Sequence, residues 1–211
     1  VRVTADRPGA AAEALLDDLA ACCRFAVGRF DGPRVRLVGV SWGGKLAAAF
    51  CARGCRGVEV ASLTMIAPGI APKVDVPLRE KLAIGLALLG RVQPGSPRGS
   101  ALFDIPLNDP AMFTDNAQMQ RYLQDDAHRL HRATARFFYA SSKLDSMLRS
   151  RGAAISLPAT LMLAERDRII DNAATRRLVE KLTGGRAKLE QFAAAHTIEF
   201  GVCWYVHRII D

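Results

Sequence analysis

The 211-residue chain carries a formal net charge of +8, with half of its residues apolar and 24% charged. That balance can bury a domain-sized core and excludes global disorder, and no apolar run approaches the ~18 residues of a membrane-spanning helix. The basic residues, arginine far more often than lysine, are spread through every segment; this argues against nucleic-acid binding and leaves only a weak attraction to anionic surfaces such as lipid headgroups.

Five cysteines (Cys22, Cys23, Cys51, Cys55 and Cys203) form no regular framework. An odd, unpatterned set reads as reduced thiols in a cytoplasmic protein. Cys51 and Cys55 lack the further soft ligands that zinc needs, so they read as small buried apolar residues and no metal is expected. The opening residues, from Val1, have neither the charged start nor the apolar stretch of a signal peptide.

In chain order, Ala10 to Val27 has apolar residues at helical spacing. Asp31-Gly32-Pro33 is a turn. Val35 to Val40 is a short, nearly continuous apolar run that suits a buried parallel strand. Lys45 to Arg53 predicts a helix and Val58 to Ile66 a second strand, closed by Ala67-Pro68-Gly69. From about Pro72 to Leu157 strand patterns are absent. Leu78 to Leu89, Asn116 to Tyr122 and Asp126 to Leu148 read as helices, and Pro94 to Pro110 as loop. Leu78 to Leu89 suits an acyl-chain entrance and ordinary packing equally, whereas Phe137, Phe138 and Tyr139 read as packing. Alternation then resumes: strand Ala159 to Ala164, helix Asn172 to Leu182 with Asp171 as N-cap, strand Lys188 to Phe192, and a last helix from Thr197 that carries Trp204 and Tyr205. The pattern implies an α/β fold with a parallel sheet and a helical insertion.

Gly39-Val40-Ser41-Trp42-Gly43 matches G-x-S-x-G at the junction of a predicted strand and helix. In that setting a serine sits on a sharp strained turn that lifts its hydroxyl clear of the sheet, and Gly39 and Gly43 are expected to avoid collisions with the neighbouring strand and helix. The backbone N–H of Trp42 can face a developing oxyanion. A serine hydroxyl needs a base. His128 and His131 lie in the basic pattern HRLHRATAR, read as a solvated helix face, and His207 lies near the C-terminus. His196 follows a strand through a short loop, where an α/β site places its base. Asp167 follows the strand ending at Ala164 and is the expected orienting carboxylate; Glu165 and Asp171 compete, the first too near the strand end and the second better explained as a cap.

Three stretches, LVGVSWGGKLAAAF at Ser41, LMLAERDRIIDNAATRRLVEKL at Asp167 and AAAHTIEF at His196, resemble the α/β-hydrolase superfamily. The subgroup they resemble is the bacterial lysophospholipase- and monoacylglycerol-lipase-like serine hydrolases. IPLNDPAMFTDNAQMQRYLQDDAHRLHRATARFFYASSKLD is similar to the helical cap of such enzymes. The resemblance implies residues 1–71 as hydrolase core with the nucleophile elbow, 72–157 as helical cap insertion and 158–211 as core with the acid and histidine. It also implies a Ser41-Asp167-His196 triad acting on a small acyl ester, without a cofactor. Family members have further strands before the nucleophile strand, so the N-terminal part of the sheet is expected to be missing from a piece of a longer hydrolase, with Val35 to Val40 exposed as an edge. Three alternatives stay open on the same fold: an aminopeptidase, a thioesterase or an acyltransferase. A fourth is an inactive module that only binds. Nothing in the pattern fixes an oligomeric state.

Overall fold

The computed structural model describes residues 10–30, 32–91, 97–127 and 129–200. Four parallel strands, β1 (Val35–Val40), β2 (Val60–Ile66), β5 (Ala159–Ala164) and β6 (Lys188–Phe192), form a sheet in the order β1-β2-β5-β6. Their registers bring the carboxyl ends level: Val40 lies beside Ile66, Ile66 beside Met162, and Ala164 beside Phe192. Ligand sites of open parallel sheets form at such ends. The loops leaving them are stitched together by backbone bonds, from Ser41 N to Ile66 O, Ala67 N to Met162 O and Glu165 N to Phe192 O, each 2.9 Å.

Helices α1 (Ala10–Arg29), α2 (Trp42–Ala52) and α5 (Ala135–Arg149) share one apolar cluster with this sheet, centred on Leu16, Phe50, Leu63, Met65, Leu144 and Leu163, all fully buried. Cys23, Cys51 and Cys55 are buried free thiols in the same cluster, whereas Cys22 is exposed. Cys51 and Cys55 therefore pack as small apolar residues. The last turn of α6 (Asn172–Thr183) ends on Gly184 in the left-handed region (φ 61°), the conformation in which a glycine C-cap is cheapest. A second small cluster, including Ile66, Met162, Phe192 and Ile198, lies around the strand ends.

Several elements depart from the sequence expectation. α2 starts at Trp42 rather than Lys45, because the turn at Ser41 leads straight into the helix. The helix expected from Asp126 begins only at Ala135, where the Thr134 hydroxyl accepts from Phe137 N (3.2 Å) and caps it. The residues just before it, Arg132–Thr134, form β4 and pair antiparallel with β3 (Leu102–Asp104), inside the segment expected to be loop. A three-residue strand is too short to show a period, and its partner lies some thirty residues away. His131 is exposed outside any helix and its carbonyl accepts from Ile105 N, while His128 lies outside the described residues. Helix α4 (Ala117–Asp125) is capped by the Asn116 side chain. In α3 (Leu78–Leu88), Ile84 and Ala87 face inward, while Leu78, Leu82 and Leu86 are exposed. The described chain ends in a short 3-10 turn, Ile198–Phe200; Cys203, Trp204, Tyr205 and His207 lie outside the described residues. No helix among the described residues is long and apolar enough to cross a membrane.

Among the described residues β1 is an edge strand of the sheet, with Val38 57% and Val40 40% exposed. An exposed apolar edge is a template for intermolecular pairing. Val38→Lys is expected to change thermal stability by no more than about 0.5 kcal/mol. It should delay aggregation of this chain on warming, read as light scattering at matched concentration; scattering at or above the parent's would contradict that role for the edge.

Candidate active site

Ser41 occupies the turn between β1 and α2 at φ 49°, ψ −119°. A left-handed non-glycine residue costs on the order of 1–3 kcal/mol and persists where its surroundings enforce it. Here they do. Ser41 N is bonded to Ile66 O, and Ser41 O accepts from Gly44 N (3.0 Å), Lys45 N (3.3 Å) and Gly69 N (2.7 Å). A Cβ on Gly39 would lie 2.7 Å from Gly43 O and from Gly44 Cα, and one on Gly44 would lie 2.8 Å from Pro68 Cβ. A Cβ on Gly43 would meet nothing within 4 Å. The expected steric role of Gly43 therefore belongs to Gly44, which the doubled glycine after Trp42 could have signalled.

Ser41 Oγ lies 2.9 Å from His196 Nε2, and His196 Nδ1 lies 2.8 Å from Asp167 Oδ2. With the ring proton on Nδ1, the imidazole donates to Asp167 and its Nε2 accepts the serine proton. Both His196 and Asp167 are buried. The other carboxylate oxygen, Asp167 Oδ1, accepts from Ile169 N and Ile170 N, each at 2.8 Å, so the turn after β5 fixes the carboxylate from behind. Lys73 Nζ donates to Asp167 O (2.6 Å). Of the competing carboxylates, Asp171 caps α6 by accepting from Ala174 N, and Glu165 is exposed. Trp42 N–H opens α2, where a helix has no internal acceptor for it; this is the position expected for an oxyanion donor.

Residues between β2 and β5 complete the surroundings. Phe113 packs edge-on to the His196 ring at 6.1 Å between centroids, and its carbonyl accepts from both Thr197 N and Thr197 Oγ1. Arg129 lies over the Phe113 ring and donates to Leu107 O. Trp42 stacks on Phe137 at 4.9 Å. Arg166 and Arg168, one on each side of Asp167, both grip Asp115, at 2.9 and 2.7 Å. Sequence reasoning missed Phe113, Asp115 and Lys73, because their contacts to this site span 51 to 94 positions of the chain.

A family model described as serine aminopeptidase, S33, matches residues 9–199. The chain belongs to that family of hydrolases. No curated protein matches it. The monoacylglycerol lipase of Paleococcus ferrophilus superposes with a TM-score of 0.75 at 20% identity, over 94% of this chain and 73% of that one. A soluble variant of the monoglyceride lipase from Saccharomyces cerevisiae, solved with a substrate analogue, gives 0.64 at 17% identity, over 88% of this chain and 60% of that one. A structure of the metagenome-derived lipolytic enzymes LipS and LipT gives 0.62 at 13% identity, over 94% and 71%. At such identities the likeness shows the fold, an α/β-hydrolase sheet. This hydrolase chain spans 60 to 73% of those three chains.

Two outcomes follow from this geometry. Gly39→Ala and Gly44→Ala are expected to destabilise the hydrolase by about 1–3 kcal/mol or more, since backbone must move to admit a methyl group. Gly43→Ala, with open space in the first turn of a helix, is expected to be neutral or to stabilise by up to about 1 kcal/mol. Thermal unfolding of the three variants checks the order. The second concerns Asp115, whose carboxyl the two arginines hold below the usual carboxylate range. A depressed folded-state value contributes stability above the unfolded value of about 4, and that contribution is lost as pH falls through the folded value. The stability difference between parent and Asp115→Asn should thus be largest near neutrality and shrink in acid, and it should be modest because all three side chains are solvent-exposed in part. Unfolding midpoints measured from pH 7 to 3 test this; a gap that widened in acid would contradict it.

Proposed function

We propose that the chain cleaves carboxylic esters through an acyl-enzyme, with Ser41 as nucleophile, His196 as general base and acid, and Asp167 as the carboxylate that holds the imidazolium. The observation that carries this reading is the unbroken line from Ser41 Oγ through His196 to Asp167, at 2.9 and 2.8 Å. Hydrogen-bond reach between nucleophile, base and orienting group is the geometric signature of an activated serine.

In the first step Ser41 Oγ attacks the ester carbonyl carbon while His196 Nε2 takes the hydroxyl proton. The negative charge collects on the former carbonyl oxygen, which Trp42 N–H and the amino end of α2 are placed to stabilise. Asp167 Oδ2 faces the imidazolium, and the two backbone N–H groups on Oδ1 hold the carboxylate in place. Collapse breaks the bond to the alcohol, which leaves with the proton from His196. Water then attacks the acyl group with His196 again as base, releasing the acid and restoring Ser41. The ester and one water become one acid and one alcohol.

Phe113, edge-on to the His196 ring, favours an apolar acyl group, and the monoacylglycerol lipase neighbours point the same way; the substrate in this reading is a monoacylglycerol- or lysophospholipid-like ester. A second reading, cleavage of an amide at a free N-terminus, is favoured by the description of the family. It needs a carboxylate free to hold the substrate amine, and Asp115, the acid that the facing segment brings to the Asp167 turn, is already gripped by two arginines.

An alkyl phosphonate that labels active serines is expected to modify the parent chain and not Ser41→Ala. Asp167→Asn should retain the fold and lose about 10³–10⁴ in turnover. A panel of p-nitrophenyl esters and aminoacyl anilides separates the two readings: esters should be the better substrates, and a preference for anilides would replace the ester reading with the peptidase one. A folded, unlabelled parent would overturn both.

A further inference from the structure

Lys45 lies one helical turn beyond Ser41, and its side chain is only 5% exposed. It touches neither His196 nor Asp167 among the contacts described. Instead Nζ forms an ion pair with Asp145 Oδ1 (2.8 Å) and donates to Ser141 Oγ (3.2 Å). The same Ser141 Oγ accepts from Trp42 Nε1 at 3.1 Å, and the Trp42 ring rests on Phe137. Phe137, Ser141 and Asp145 recur every four residues along α5 and so share one stripe; Trp42 and Lys45 are three apart on α2 and face it together. One stripe of α5 thereby grips the first turn of α2 at both the aromatic ring and the cation.

The cost of this arrangement is informative. Burial pushes the Asp145 carboxyl above the usual range, with Lys45 only partly opposing the rise. A buried ion pair is in general no more stabilising than an apolar pair of the same volume. What an apolar pair could not supply is the hydrogen bond from Lys45 Nζ to Ser141 Oγ, the atom that also accepts from Trp42 Nε1. The main chain of Lys45 is tied to the turn at Ser41, since its N–H bonds to Ser41 O.

We infer that Lys45, acting with Ser141 and Asp145, is a positioning residue for oxyanion stabilisation: it holds the first turn of α2 so that Trp42 N–H keeps its place beside Ser41. This rests on the proposed serine hydrolysis. The predicted signature is a loss confined to the transition state, because the substrate's ground state does not require an accurately placed oxyanion donor.

The test compares the parent with Lys45→Met/Asp145→Leu, Trp42→Phe and Lys45→Arg. The double variant removes both charges and leaves neither unpaired, so its melting temperature is expected to match or exceed the parent's. Its kcat on p-nitrophenyl butyrate should fall about tenfold with KM within about twofold, and its rate of labelling by an alkyl phosphonate, whose oxygen occupies the oxyanion position, should fall in parallel. Lys45→Arg, which retains the cation, should recover most of the loss. Trp42→Phe keeps a ring against Phe137 but loses the indole N–H; it gives the same reading, at about fivefold, if the double variant does not fold. A folded double variant, or Trp42→Phe, with parental kcat and labelling rate overturns the inference alone. A parent that phosphonate does not label overturns the hydrolase reading and this inference with it.

Discussion

The sharp turn at Ser41 is the constraint on which the rest depends. A serine at φ 49° is held there only because the backbone on every side is already committed. Ile66 O anchors its nitrogen, three N–H groups anchor its carbonyl, and β1 and α2 approach so closely that Gly39 and Gly44 have no room for a side chain. Those partners come from β1, from α2 and from the stretch Ile66 to Gly69 at the end of β2. The parallel register that sets Val40 beside Ile66, and Ile66 beside Met162, is what delivers them. The same register sets Ala164 beside Phe192, so the loops bearing Asp167 and His196 leave the sheet at one level. Two hydrogen bonds under 3 Å then join three residues separated by up to 155 positions.

The long segment between β2 and β5 is more than a cover over this framework. It reaches the candidate site at several points, attached to different parts of it. Phe113 is bonded to the loop of His196, Asp115 is clamped to the loop of Asp167, and α5 grips the helix that follows Ser41. The segments that carry Ser41, His196 and Asp167 are thus each held by a separate contact from the same stretch of chain. Their energies differ in kind. The Asp115 clamp is partly solvated and contributes little to stability, whereas the Lys45 pair is buried and its geometry is correspondingly more exacting. Phe113 adds apolar surface beside the His196 ring.

The elements that can be read locally were legible in the sequence. The apolar runs 35–40 and 159–164 coincide with strands, and so does 188–192 (KLEQF), which is marked by its place in the strand–helix alternation and not by an apolar run. Asp171 caps α6 where a short polar residue before a helical period signals it. Ser41, Asp167 and His196 each stand just beyond a strand in the sequence, and the fold brings those three together. The insertion was less legible. Its small β3–β4 sheet and the late start of α5 depend on a pairing between distant short segments, which no local period encodes.

Sequence alone therefore determined the alternation of strand and helix, the elbow motif and the candidates Ser41, Asp167 and His196 that the fold brings together, since each follows from residues within a few positions of one another. Tertiary structure decided which glycine the elbow cannot replace, which groups hold the acid and which stripe of α5 meets α2. Those answers are distances between segments some twenty-five to ninety-nine positions apart, at Gly44 and Pro68, Lys73 and Asp167, or Trp42 and Ser141. Steric exclusion and hydrogen bonding act through space over a few ångströms, and only the folded register specifies which residues stand that close.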